Sequence, residues 1–239
     1  METVSSPPIS VIIPAYHDAK RLRRTLERLV AIREREYQHL EIVVSVRPSM
    51  DETEAIARRY ADRVVYHQSL GEARNRGAAV AQGEYFIFLD ADAAPRFGTI
   101  PIIVRHLRSD RIGTCTVYPD RSGWKPWLAA TAQNFVRWSG MIKGIPNLLF
   151  CHRSLMHERG VWFNPLRSVG EYYELIARAR KSGVHFYYAR IAGGGYAVNV
   201  DRYERWGYAK TLWFWIRWAF YVSLLQHNGK ALEREYWVH

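Results

Sequence analysis

Two carboxylates with a single alanine between them, Asp90 and Asp92, close the stretch GEYFIFLDADAAP. The five residues before them, Tyr85-Phe86-Ile87-Phe88-Leu89, form an apolar run bounded by Gly83 and Pro95, the pattern of a buried strand. Residues two apart on an extended chain point the same way, so both carboxylates can address one object. Converging anions repel unless a positive charge lies between them. A hard divalent cation such as Mg²⁺, which prefers oxygen ligands and the phosphates of a substrate, meets that need. An Asp-rich turn that merely ends the strand uses the same residues without chemistry, and this stretch alone leaves both readings open.

The elements that must position these carboxylates follow a regular alternation. Ile9 to Ile13 is a β-branched run stopping at Pro14. Residues 20–35 carry Leu22, Leu26, Leu29 and Val30 at helical spacing. Glu41 to Val46 and Arg63 to Tyr66 read as strands. Between them, Asp51 and Glu54 have the spacing of a capping box opening a helix through Tyr60. Gly71 to Gln82 reads as a third helix, leading into the strand that opened this reading. Strands alternating with helices at these lengths imply right-handed crossovers and a parallel, doubly wound sheet. Carboxylates at the carboxyl end of a strand in such a sheet sit where it binds ligands. Beyond Pro95 the pattern mixes: strands over Gly113–Tyr118, Pro146–His152 and Val184–Tyr188, and a helix over Gly170–Ser182. The fold class is therefore α/β, with a mostly parallel sheet and a mixed second half.

The 239 residues are 48% hydrophobic, enough for one large core, and carry a formal charge of +11. Such a balance suits a polyanionic partner: nucleotide, phosphate, nucleic acid or acidic membrane. No nucleic-acid-binding motif accompanies it, and Lys20, Arg21, Arg23 and Arg24 read as a solvated helix face, so a nucleic-acid partner is not expected. Cys115 and Cys151 stand far apart without CxxC spacing, which argues against a zinc site or disulfide framework and fits a reducing compartment. METVSSPPIS lacks the marks of a signal peptide, so the expected location is cytoplasmic.

Four ordered stretches carry a family resemblance. SVIIPAYHD, GEARNRGAAVAQGEYFIFLDAD, NLLFCHRSLMHERG and GEYYELIARARKSG resemble, in that order, motifs of the GT-A-fold glycosyltransferases of family two, which are inverting enzymes using nucleotide-activated sugars. The resemblance spans about residues 9–205, which it implies is a GT-A domain, leaving 206–239 as an aromatic C-terminal segment. It implies a nucleotide-sugar donor, a divalent metal (Mg²⁺ or Mn²⁺) and an acceptor hydroxyl that the sequence does not name. By position it implies Asp92 as metal ligand and Asp90, with Ala91, at the ribose or a metal-bound water. Pro14, Ala15 and Tyr16 would frame the nucleobase, and Arg74 would lie near the base or the diphosphate at a helix start, where amide ends favour anions.

Two departures from the family pattern matter. Where the family's second strand leads into an aspartate that reads the base, this chain has Val46-Arg47-Pro48-Ser49-Met50-Asp51. Aligned on Leu175, the family's catalytic aspartate falls on Tyr172, a poor base at neutral pH. Glu171 is then the expected base, and Glu174 a structural carboxylate. Both departures favour an alternative, a catalytically weakened sugar-nucleotide-binding or scaffold protein; the Asp90–Asp92 pair opposes it. In the tail, TLWFWIRWAFYVSLL has Arg217 as its one charge and is shorter than the roughly 20 residues that span a bilayer. It reads as a helix apolar nearly all round, with Leu212, Trp215, Ile216, Ala219, Phe220 and Ser223 on one stripe and Trp213, Phe214, Arg217, Trp218 and Tyr221 on another. Its expected cover is the GT-A domain itself, as a buried closing helix, or a second copy of the chain, or a cytoplasmic membrane face carrying a lipid-linked acceptor.

Overall fold

The computed structural model describes residues 7–139, 147–166, 170–211, 213, 214 and 217, with position 202 as backbone only. The first half runs β1 (Ile9–Ala15), α1 (Ala19–Arg35), β2 (Leu40–Val46), α2 (Thr53–Tyr60), β3 (Arg63–Tyr66), α3 (Leu70–Val80) and β4 (Tyr85–Leu89). The second adds α4 (Thr99–His106), β5 (Arg111–Cys115), β6 (Val117–Pro119), α5 (Trp124–Ser139), β7 (Leu148–His152), α6 (Ser154–His157), α7 (Glu171–Lys181), β8 (His185–Ala189), β9 (Tyr196–Val198) and α8 (Asp201–Trp206). Seven strands form one sheet in the order β3-β2-β1-β4-β7-β5-β8. β7 runs antiparallel to both its neighbours, and the other strands are mutually parallel.

The sheet is covered on both faces, as the alternation of its side chains requires. Ile9, Val11 and Ile13 of β1 pack with Leu22, Leu26 and Leu29 of α1, while Ile12 packs on the opposite face with Ala78 of α3. β4 divides the same way: Ile87 and Leu89 face α1 and α4, Phe86 and Phe88 face α3 and α7. Gly77 lets α3 lie close on β1, since a Cβ there would come within 2.4 Å of an Ile12 methyl.

Two expectations are corrected. The Gly113–Tyr118 strand is two strands in different sheets, broken at Thr116. β5 pairs with β7 and β8, whereas β6 leaves to pair in parallel with β9. The break is fixed by a close crossing: the Tyr196 amide donates to the Thr116 carbonyl at 3.2 Å, and Gly195 has φ +111 with no room for a Cβ against Thr116. The Asp51–Glu54 capping box does not form. Asp51 instead accepts from the amides of Ala19 and Thr53, both at 3.3 Å, so one carboxylate serves the starts of α1 and α2. Burial acts to raise the Asp51 pKa, but bonds from Ser49, Thr53 and Ala19 outweigh it and hold it at about 2. Glu54 turns to Arg58, 3.0 Å away, and Tyr66. Helices α4 and α5 were not legible at all; α5 turns its large apolar side chains outward, so no inward stripe announces it.

Among the described residues no helix is long and apolar enough to cross a membrane. Of the tail, Phe214 is buried against Trp206 with ring centroids 5.6 Å apart, and Trp213 is exposed. Leu212, Trp215, Ile216, Trp218, Ala219, Phe220, Tyr221 and Ser223 lie outside the described residues.

A packing constraint that closes the middle of the sheet is Gly113, in β5. A Cβ there would sit 2.5 Å from both the Phe150 ring and the Tyr187 carbonyl. Gly113→Ala is expected to overpack the sheet and cost about 1–3 kcal/mol, read as a lowered urea midpoint with unchanged slope. An unchanged midpoint would show that Phe150 moves aside freely.

Candidate active site

The site is assembled around one buried guanidinium. Arg74 sits in the first turns of α3, whose start is capped by the Ser69 hydroxyl accepting from the Glu72 amide at 3.4 Å. The neighbouring residues fix the helix from every side. Gly71 lies under the Asn164 carbonyl, where a Cβ would come within 2.3 Å. Asn75 donates to the Phe163 carbonyl at 2.8 Å and accepts from its amide at 2.9 Å. Arg74 is thereby held at 1% exposure.

Each nitrogen of Arg74 meets a different partner. Nη2 donates to Asp90 Oδ1 at 2.7 Å, Nε donates to the Tyr172 hydroxyl at 3.0 Å, and Nη1 lies 3.2 Å from Glu171 Oε1. The guanidinium also lies over the Tyr172 ring, 4.4 Å from its centroid. One cation thus joins the tip of β4 to the first turn of α7. Gly170 precedes that turn with φ +78, a left-handed conformation glycine adopts without strain. Burial by itself would lower the Arg74 pKa; Tyr172, Glu171 and Asp90 carry it above its ordinary value. Burial raises the Tyr172 hydroxyl well above its usual range, so this residue is a hydrogen-bonding strut and not a base.

Asp90 and Asp92 have unlike surroundings. Asp90 extends the β4–β7 pairing, its amide donating to the Asn147 carbonyl at 2.8 Å, and its Oδ2 accepts from Asn147 Nδ2 at 3.1 Å. With Arg74 on its other oxygen, Asp90 is neutralised within the protein, although burial still raises its pKa. Asp92 accepts from the Asn199 amide at 3.2 Å. No cation of the described residues lies within ion-pair distance of it, and burial and the Asp90 charge push its pKa up. Asp18 is raised by burial as well, with Asp92 and Asp51 adding to the effect against Arg21. An added cation at Asp92 would relieve both, so this carboxylate fits a metal ion where Asp90 does not. No three His, Cys, Asp or Glu side chains converge as a ready-made cage among the described residues. That suits an ion held by one carboxylate plus substrate phosphates.

The other sequence-derived residues fall at the carboxyl end of β1, in the same sheet edge. Pro14 and Ala15 are buried strand residues, and the Ala15 carbonyl already accepts from the Arg47 amide at 3.0 Å. Tyr16 is exposed, with the Arg47 guanidinium 4.6 Å from its ring centroid. The cation standing where the family has a base-reading carboxylate therefore covers one side of the ring expected to stack. Ala91 is buried, its carbonyl accepting from Thr25 at 2.7 Å. Glu174 lies 3.3 Å from Arg178, one turn further along α7. Asn147 and Asn199 were missed. Asn147 begins a quoted motif without drawing notice, and Asn199 stands in no motif at all.

With the geometry set out, comparison places the chain. The model of glycosyl transferase family 2 matches residues 10–164, and the chain belongs to that family. An uncharacterised glycosyltransferase of Rickettsia prowazekii is 35% identical over 95 residues, which are 38% of this chain and 29% of that protein. The chain thus spans under a third of that relative's length. Staphylococcus aureus TarS 1–349 in complex with UDP-GlcNAc superposes with TM-score 0.63 at 18% identity, over 80% of this chain and 58% of that one. The Pyrobaculum calidifontis mannosyltransferase PcManGT, in complex with GDP-Man and Mn²⁺, gives 0.59 at 19% identity, over 79% and 58%. The fold is that of the GT-A glycosyltransferases.

Removing the central cation should expose the repulsion it relieves. Arg74→Met is expected to lose about 3–5 kcal/mol of stability near neutral pH, since it takes the buried cation away from Asp90 and Glu171. Asp90, already raised, would rise further, so the folded variant binds a proton that the unfolded chain releases. Stability then increases as pH falls toward the ordinary carboxylate pKa of about 4, and the deficit narrows. Urea midpoints at about pH 7 and about pH 5 test this; an equal deficit at both would show that lost packing, and not charge, sets the cost.

Proposed function

We propose that this protein transfers a hexosyl group, with inversion, from a nucleoside-diphosphate sugar to an acceptor hydroxyl. The observation that carries the reading is the unequal pair at the β4 tip: Asp90 is paired with Arg74, whereas Asp92 accepts from Asn199 Nδ2 with no described cation within ion-pair distance. Asp92 would hold a divalent metal, Mg²⁺ or Mn²⁺, which supplies electrostatic stabilisation of the departing diphosphate. Relatives of the same fold crystallised with Mn²⁺ and nucleotide sugars support that assignment.

The chain's own residues have distinct tasks. Tyr16, Pro14 and Ala15 border the nucleobase from the β1 end, with Ala91 and Asp90 beside the ribose. Because Arg47 stands where a base-reading carboxylate is usual, base recognition relies on ring stacking and backbone contacts. Glu171 takes the proton of the acceptor hydroxyl as that oxygen bonds to the anomeric carbon. The bond from that carbon to the diphosphate breaks with its electron pair leaving on phosphate, so one displacement needs no covalent intermediate. Arg74 Nη1 lies 3.2 Å from Glu171 Oε1 and places a positive charge beside it. The aromatic C-terminal segment suits an acceptor carried on lipid, at a membrane face.

The same Arg74–Glu171 pair favours a second reading, a donor-binding protein with little transfer, because a paired carboxylate is a weaker base. Turnover decides between them. Wild type is expected to hydrolyse or transfer sugar from at least one nucleotide sugar in a panel with Mn²⁺, and Glu171→Gln to lose about 10²- to 10⁴-fold while keeping donor affinity. Loss in Glu174→Gln alone would move the base one turn along α7, and no turnover by wild type with intact donor binding would favour the binding protein. Separately, Asp92→Asn is expected to abolish the metal dependence of nucleotide binding in calorimetry without lowering the melting temperature. Wild-type metal dependence in that variant would reduce Asp90-Ala91-Asp92 to a strand-ending turn.

A further inference from the structure

Helix α5 wears its apolar side outward. Its inner side is small or polar: Pro126, Ala130 and Arg137 are buried, and Asn134 clamps β6, accepting from the Val117 amide at 2.8 Å and donating to its carbonyl at 2.9 Å. Its outer side carries Trp124, Trp127, Leu128, Phe135 and Trp138, exposed by 73, 51, 62, 56 and 66%. Trp124, Leu128, Phe135 and Trp138 fall on one line of three- and four-residue steps that passes through Thr131, and Trp127 lies three residues after Trp124 beside it. An exposed aromatic surface of this kind marks a place where something docks.

Charge decides the occupant. No acidic residue occurs between Asp120 and Glu158, while Lys125 borders the stripe and lies over the Trp124 ring at 5.6 Å; Arg121, just before it, is paired with Asp120, Asp201 and Glu204. Helix α5 meets α8 through Gln133 donating to Tyr203 at 3.4 Å; after α8, Lys210 lies over Trp206 at 5.7 Å and Trp213 is exposed. A second copy of a +11 chain would bring like-charged rims together. An anionic bilayer surface attracts the basic rim and takes tryptophan at its headgroup level. We propose that the outer face of α5 docks this protein on an anionic lipid surface, with the tryptophan rings in the headgroup zone.

The placement bears on the active site. Arg121, just before α5, pairs with Asp201, two residues after the Asn199 that holds Asp92. A hydroxyl borne by a lipid at the α5 face would arrive on the Asp92 side of the site; this clause rests on the glycosyl-transfer reading, whereas docking does not.

The test is co-sedimentation with phosphatidylcholine vesicles with or without about one-third phosphatidylglycerol. Wild type is expected to bind the anionic vesicles, less so in high salt. Trp127→Ser/Trp138→Ser should bind at least about tenfold more weakly with an unchanged melting temperature, and Lys125→Glu should weaken binding at low salt. Absence of wild-type binding at low salt would overturn the proposal, as would equal binding by both variants. A wild-type dimer that ignores vesicles and becomes a monomer in the double variant would assign the face to self-association instead. Mn²⁺-dependent nucleotide binding in the same samples separates the two readings: vesicle failure with nucleotide binding intact removes only the docking proposal, and the converse removes only the transfer reading.

Discussion

A single guanidinium buried between a strand tip and a helix start is the constraint on which the site depends. Arg74 has no water to solvate it, so its charge must be answered by protein groups, and Asp90, Tyr172 and Glu171 answer it from two different elements. The spacing between β4 and α7 at their ligand-facing ends is thereby set by hydrogen-bond lengths, where apolar packing alone would leave play. The rest of α3 serves that placement. Gly71 and Gly77 permit its close approach to the loop at Asn164 and to β1, and Asn75 clips it to Phe163. A motif that reads in sequence as a string of small and polar residues is, in space, the mounting of one cation.

The same cation separates the tasks of the two aspartates. Both end the same strand and both feel burial, yet internal neutralisation falls on Asp90 alone. Asp92 has the Asn199 bond and the more distant Arg21 charge but no described cation within ion-pair distance, a condition that favours an added one. The antiparallel β7 contributes too. By reversing direction beside β4 it brings Asn147 to the Asp90 carboxylate, a placement a parallel neighbour reached by a crossover helix would not give.

Much of the first half was legible because each strand and helix there buries one face, and burial leaves a period in the sequence. The β1 alternation and the Leu22-Leu26-Leu29 spacing are the direct imprint of the two packed layers. The family motifs then singled out Asp90, Asp92, Arg74 and Glu171, three of which the fold joins through the Arg74 guanidinium. What was not legible had non-local causes. The Thr116 break depends on Gly195, far along the chain, and Asp51 is drawn from a local box by the amide of Ala19. Arg74 reads alone as a ligand contact because its partners arrive from residues 90, 171 and 172. Helix α5 was invisible for the opposite reason: its large apolar residues face outward, so no inward face marks it.

The division of labour between the aspartates is tested most directly by anomalous scattering from crystals grown with Mn²⁺ and a nucleoside diphosphate. A manganese peak within coordination distance of the Asp92 carboxylate, about 2.0–2.6 Å for hard cations on oxygen, with Arg74 still bonded to Asp90, is the predicted result. A peak on Asp90 with Arg74 turned toward the diphosphate would contradict it.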